Sequence, residues 1–236
     1  AKVAEGNILL FINPDTVLKK QAINILLTFI KQKKKIGLLS PRMVDSSDRV
    51  LPTISKRIRL PDALIIYSFL DKLFKNNITS KNFWMVETDR TKTQYVDVVS
   101  GACLMVKKSV FDRLGGFDER FFMYFEEHDL CVRALKIGYR NVYYPKAEIV
   151  HLVGRSLKEN RIIKKYFERS RYLYFKKYYG LGGALLADAF LRFITPSSFV
   201  VTAIIILSLL INTLWQNSHM LFIGDSARDF LEARDM

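Results

Sequence analysis

Apolar positions follow two rhythms along this chain, and the changes of rhythm mark its elements. Residues 7–12 (NILLFI) are a continuous apolar run of strand length, the pattern expected of an interior parallel strand covered on both faces. Residues 17 to about 32 place Ala22, Ile23, Leu26, Phe29 and Ile30 at helical spacing, and residues 36–40 predict a further strand. From 41 to 93 the period is lost apart from an apolar patch at 64–73, which predicts a variable insertion covering a site or a partner. A valine-rich run at 95–99 ends at Ser100-Gly101-Ala102, and one helical turn at 110–114 stops at Gly115-Gly116, where positive φ permits a sharp reversal. After Phe121, Phe122, Tyr124 and Phe125, a helix is expected from Glu126 until Gly138 closes it. Two short β-rich segments follow, 140–144 and 148–152, interrupted by Pro145.

Residues 158–179 carry a broad apolar stripe interleaved with Arg161, Lys164, Lys165, Arg169, Lys176 and Lys177. That pattern suits an interfacial helix and equally one packed on the core. Beyond the glycines at 180, 182 and 183 the composition shifts. Residues 193–224 contain no Asp, Glu, Lys or Arg, and the run 199–215 would span roughly 26 Å as a helix, close to the ~30 Å hydrocarbon core of a bilayer. A C-terminal membrane-associated helix is therefore expected, with Lys176, Lys177 and Arg192 holding the preceding part on the cytoplasmic face. The domain division expected is 1–183 and 184–236.

Composition narrows the class. Half of the 236 residues are hydrophobic, enough for a sizeable core, and the net charge of +14 calls for an anionic surface, substrate or nucleic acid without choosing among them. Cys103 and Cys131 lack paired metal spacing and lie in apolar surroundings, which makes them core residues. The chain starts at Ala1 and leads at once into a strand, so it reads as a fragment of a longer protein.

Candidate chemistry concentrates in 101–131. Glu126, Glu127 and Asp129 occupy one first helical turn, where the helix dipole favours negative charge, and the aromatic residues before them suggest a desolvated wall that raises a carboxylate's pKa. By helical geometry Glu126 and Asp129 share one face and Glu127 points elsewhere. With no side chain at Gly101, another group can approach the backbone closely. Upstream, Pro14 fixes a turn that aims Asp15 out of the end of the first strand, although Asp15 or Thr16 is also suited to cap a helix.

These motifs occur in an order that resembles an inverting family 2 glycosyltransferase of the GT-A fold, especially its rhamnosyltransferase-like members. The resemblance covers roughly residues 5–180 and is carried by NILLFINPDT, the SGA turn, GGFDE, the acidic EEHD helix start, the later His151 and the basic aromatic RSRYLYFKKYYG. It implies an α/β GT-A fold, a mixed sheet flanked by helices that here lacks the family's N-terminal nucleotide-gripping strands. It implies transfer of a sugar from a nucleotide diphosphate to a hydroxyl acceptor with inversion, in cell-surface polysaccharide or glycolipid synthesis. By the same resemblance Asn13 and Asp15 fill the two positions of the family's DxD motif, Asn13 being a departure, and His151 joins them around Mn or Mg. Glu127 falls at the usual position of the base, with Asp129 as runner-up and Glu126 as support. Ser100, Gly101, Ala102 and Arg155 are the donor- and acceptor-binding candidates, and the 41–93 insertion is the natural place for acceptor selectivity. The partners implied are a nucleotide sugar, a glycan or glycolipid acceptor and a membrane, with no nucleic acid. Two other classes compete: a basic nucleic-acid-binding module and an inactive, membrane-associated scaffold.

Overall fold

The computed structural model of the chain describes residues 1, 3–75, 77–152, 161–193 and 206–211. Its centre is a mixed six-stranded sheet in the order β1-β7-β3-β8-β2, with β5 also paired to β8. The strands are β1 (Ile8–Ile12), β2 (Thr16–Leu18), β3 (Ile36–Val44), β5 (Gln94–Val96), β7 (Cys103–Lys107) and β8 (Arg140–His151). Among the described residues β3 and β8 alone run parallel, and the other pairings of this sheet are antiparallel. A two-residue strand, β4 (Ile54–Ser55), pairs with β6 (Val98–Val99) beside this sheet.

Alternation along β3 and β7 divides the core into two layers. Leu38, Leu104 and Val106 face α6 (Glu126–Lys136) with Leu130, Cys131 and Ala134, while Leu39 and Met105 face α1 (Ala22–Gln32) with Leu26 and Ile30. Phe29 of α1 stacks on Tyr144 of β8 at 4.0 Å between ring centroids. Both cysteines are buried and free, and burial pushes the Cys103 thiol up to about 11.

Four expectations are corrected. First, β1 stands at the end of the sheet order and pairs antiparallel with β7; its apolar run is only partly covered. Second, residues 16–18 do not open a helix. Val17 and Leu18 pair with Val150 and Ile149 of β8, a tertiary pairing that overrides local helical spacing, and α1 begins at Ala22 after Gln21 adopts φ 63°. Third, Pro145 does not split two segments. One strand, β8, passes through it because the β3 register slips between Pro41 and Arg42, leaving the proline outside the ladder. Fourth, residues 41–93 are more regular than their period suggests, with β4 and three short helices, α2 (Leu60–Ile66), α3 (Phe69–Leu73) and α4 (Ile78–Phe83).

Two further helices complete the fold. The turn at 110–114 lies in α5 (Lys108–Arg113), which ends at Gly115 and Gly116, both at φ near 75°. The basic aromatic stretch forms α7 (Arg161–Phe193), broken at Gly180. Its Tyr174 and Phe175 join Phe121, Phe125, Ile58, Ala63 and Phe83 in an aromatic core that also takes up Ala184 and Ala187. Residues 1–190 form one compact unit and 191–236 a second. Of the apolar run 199–215 only 206–211 are described, and among the described residues no helix is long and apolar enough to cross a membrane.

Candidate active site

Three turns meet at the ends of the central strands. The turn after β1 is tied to the SGA turn, since the Asn13 amide donates to the Ala102 carbonyl (2.9 Å) and the Thr16 hydroxyl donates to the same oxygen (3.3 Å). It is tied to the end of β8 as well, because the Leu152 amide donates to the Asp15 carbonyl (2.9 Å). The β2–β8 pairing sets Thr16 opposite His151, and His151 Nε2 lies 3.2 Å from Asp15 Oδ1. Two residues 136 positions apart in the chain are thus adjacent in the fold.

The third turn delivers the acids. Tyr124 and Phe125 both take positive φ (66° and 67°), a conformation costing of order 1–3 kcal/mol per non-glycine residue. The reversal buries Phe125 in the aromatic core and starts α6 with its first turn facing the SGA backbone. A cavity of about 960 Å³ opens there, lined by Asn13, Asp15, Ser100, Gly101, Ala102, Glu126, Glu127 and His151 among others. A smaller cavity of about 380 Å³ lies beside it, and Ser100, Tyr124, Glu127 and His151 line both.

Electrostatics separate the three carboxylates. Burial, and then the neighbouring Glu126 carboxylate, push Glu127 up to about 7, and burial likewise raises Glu126. One carboxyl oxygen on each, Oε2, is buried without a hydrogen-bond partner. Asp129 is different. It is fully buried and held by Lys177 Nζ (2.5 Å), Arg133 Nε (2.7 Å) and the Tyr178 hydroxyl, which donates at 2.7 Å. The expectation that Glu126 and Asp129 share a face is therefore corrected: Glu126 and Glu127 face the cavity, and Asp129 turns into the packing between α6 and α7. Glu126 begins the helix, where its side chain is free to bend toward the turn, whereas Asp129 is claimed by three donors.

That ionic cluster links the motifs. Arg133 also donates to the carbonyls of Leu114 (2.6 Å) and Gly116 (2.8 Å), and Lys177 to Asp118 (2.8 Å), so GGFDE, the acidic helix and the aromatic helix are clamped together. Arg120 first and Lys177 next hold the Asp118 carboxyl well below the usual range. Sequence reasoning missed His128. It lines the smaller cavity, and its buried Nε2 accepts a hydrogen bond from the Ile58 amide (3.1 Å). Burial pushes its pKa down to about 3, so it is a neutral acceptor. It stands between acids that carry the stronger motif, and the Ile58 amide it serves is 70 residues away, so the pairing has no sequence signal. Arg155 lies outside the described residues.

Residues 1–167 match the family described as "Glycosyltransferase like family 2". The chain belongs to that glycosyltransferase family. Among curated proteins, this family 2 chain is 31% identical over 141 residues to the N-acetylglucosaminyl-diphospho-decaprenol L-rhamnosyltransferase of Mycobacterium tuberculosis, covering 59% of this chain and 45% of that protein. It is 29% identical over 150 residues to rhamnosyltransferase WbbL of Escherichia coli K12, covering 63% of this chain and 53% of the relative. The chain thus spans about half the length of the curated relatives it matches. A solved structure of GalNAc-T7 with UDP, GalNAc and Mn2+ aligns over 77% of this chain and 36% of that one, at 11% identity and a TM-score of 0.47.

The donor set suits a hard divalent cation in part. Among the described residues no group of three His, Cys, Asp or Glu side chains is placed to hold a metal. One carboxylate and one imidazole do stand at ligand-to-ligand distance on the large cavity, with the Asn13 amide on the same wall.

Proposed function

We propose that this chain carries the acceptor-side half of an inverting glycosyltransferase site that moves a sugar from a nucleotide diphosphate to a hydroxyl group. One observation carries the reading: Glu127, with its Oε2 lacking a hydrogen-bond partner and its pKa raised to about 7, stands on the wall shared by two cavities, one of which also exposes Asp15 and His151. A base tuned near neutrality is what hydroxyl activation requires. The donor occupies the larger cavity. Glu127 takes the proton from the acceptor hydroxyl, the freed oxygen forms its bond to the anomeric carbon from the face opposite the leaving group, and the diphosphate departs with the electron pair of the broken bond. Asp15 and His151, with Asn13, would hold the Mn or Mg ion, which would supply positive charge to offset that of the diphosphate. Ser100 and Gly101 give the reacting groups backbone-close access to Glu127.

The rhamnosyltransferase relatives support a deoxyhexosyl donor and a glycolipid or polysaccharide acceptor. The uncharged run at 199–215 and the basic residues before it support attachment at the cytoplasmic face of the membrane. Removing residues 193–236 should shift the protein to the soluble fraction, and unchanged fractionation would refute the anchor.

The transferase reading is tested in the full-length protein with Glu127→Gln. Expected is retained nucleotide binding with turnover lowered by about 10² or more. Near-wild-type turnover would remove Glu127 as the base.

A further inference from the structure

The smaller cavity is distinct in its chemistry. Beyond the residues it shares with the larger one, its wall comes from the 41–93 insertion, with Thr53, Tyr67 and Trp84, from β6, from Phe125 and His128, and from Phe167 of α7. The rings brace one another: Tyr67 meets Phe167 edge-on at 5.3 Å between centroids, and Tyr124 meets Phe167 edge-on at 5.5 Å. Among the described residues no Lys, Arg or Asp lines the cavity, and Glu127 is the single carboxylate. The Thr53 hydroxyl is buried without a hydrogen-bond partner, as is Glu127 Oε2. Leaving such groups unmet forfeits their hydrogen bonds, so the wall favours a ligand that brings hydroxyls.

These features discriminate between ligands. An anionic group here would face Glu127 with no Lys or Arg side chain among the described lining residues to offset it. A hydrocarbon chain would leave the Thr53 hydroxyl and Glu127 Oε2 without partners. A sugar ring has apolar faces for the aromatic wall and hydroxyls at its edge for the two polar groups. At about 380 Å³ the space is near the lower end of the roughly 300–1,000 Å³ typical of small-molecule sites, which suits a short part of an acceptor. Resting on the transferase reading above, we propose that the smaller cavity binds the acceptor through an uncharged pyranose ring, one hydroxyl directed at Glu127 and another at Thr53.

The test uses the full chain carrying Trp215→Phe, which leaves Trp84 as the single tryptophan. Its emission is followed during titration with the methyl glycosides of glucose, N-acetylglucosamine and rhamnose, and with glucuronate as a charged counterpart. Expected is a saturable change with at least one neutral glycoside and binding about tenfold or more weaker for glucuronate. Thr53→Val, which keeps the shape and removes the hydroxyl, should weaken that glycoside about tenfold, equivalent to about 1.4 kcal/mol, and leave calorimetric UDP binding unchanged. Tyr67→Leu, removing one ring, should weaken it similarly. Silence of Trp84 toward every neutral glycoside, equal binding of glucuronate, or wild-type affinity in both variants overturns the proposal. A full-length protein that binds the glycoside yet never releases nucleoside diphosphate from a nucleotide sugar overturns the transferase reading and leaves the ring site standing.

Discussion

Gly101 lies so close to Glu127 that a β-carbon added to it would stand 3.3 Å from the Glu127 β-carbon and 3.5 Å from its Cγ. No positive φ requires glycine at this position; the requirement is space. Gly101→Ala is therefore expected to keep the backbone and the melting temperature while pushing Glu127 aside by a few tenths of an ångström. Displacement on that scale should lower kcat by about tenfold, and Gly101→Val by more. Steady-state kinetics beside thermal melting separate the two effects. Wild-type kcat in the alanine variant would show that Glu127 acts from elsewhere.

The elevated pKa of Glu127 makes a second prediction that needs no substrate. Its carboxyl titrates near 4.5 when unfolded and at about 7 in the fold, so the folded state favours the protonated form. That favourable contribution is complete below pH 4.5 and is lost as pH rises through about 7. Glu127→Gln, neutral at every pH, should melt with wild type at pH 4 and several degrees above it at pH 8. A constant difference across that range would contradict the burial. In activity, the acidic limb of the rate profile should have its midpoint near 7. Glu126→Gln should move that midpoint to lower pH, because the Glu126 charge is the second cause of the shift.

Asp129 should behave as a brace. Asp129→Asn removes the countercharge from Arg133 and leaves Lys177 with Asp118 alone, at side chains only 19% and 22% exposed. Breaking such a pair costs about 3–5 kcal/mol. Urea unfolding should reveal that loss, together with loosening of α7. A variant that unfolds like wild type but has no turnover would restore Asp129 as a base candidate.

How much of this was legible in the sequence differs between levels. Helical spacing disclosed α6 from its first residue and the core face of α1, because both helices bury one stripe against the sheet. The sequence also pointed to Asp15, His151, Gly101 and Glu127 through their motifs, and these four line one cavity. What was hidden is what long-range pairing decides. Val17 and Leu18 read as helix because their partners, Val150 and Ile149, are more than 130 residues away, and that pairing seats Asp15 beside His151. Asp129 read as a first-turn acid and runner-up for the base because Lys177 and Tyr178, which claim it, lie on another helix. The smaller cavity was invisible for the same reason: Thr53, Trp84 and Phe167 share no motif and meet only when the insertion and α7 pack together.

The final prediction concerns the Asp15–His151 pair, whose 3.2 Å separation is compatible with two roles. As a plain hydrogen bond it would brace the β1 turn against the end of β8. As a ligand pair it matches an octahedral cation, since two ligands about 2.1 Å from one ion and at right angles stand about 3.0 Å apart. Manganese titration by calorimetry, with UDP present, distinguishes them. Asp15→Asn and His151→Ala should each weaken Mn binding by about tenfold or more. Asn13→Asp gives the sharper test because the two roles predict opposite signs. A second carboxylate near Asp15 strengthens Mn binding if an ion is shared, and with no ion it only adds repulsion and lowers the melting temperature. Tighter Mn binding with a melting temperature that rises when Mn is added supports the metal role. Unchanged Mn affinity in Asp15→Asn and His151→Ala would leave the pair as a brace between two strands.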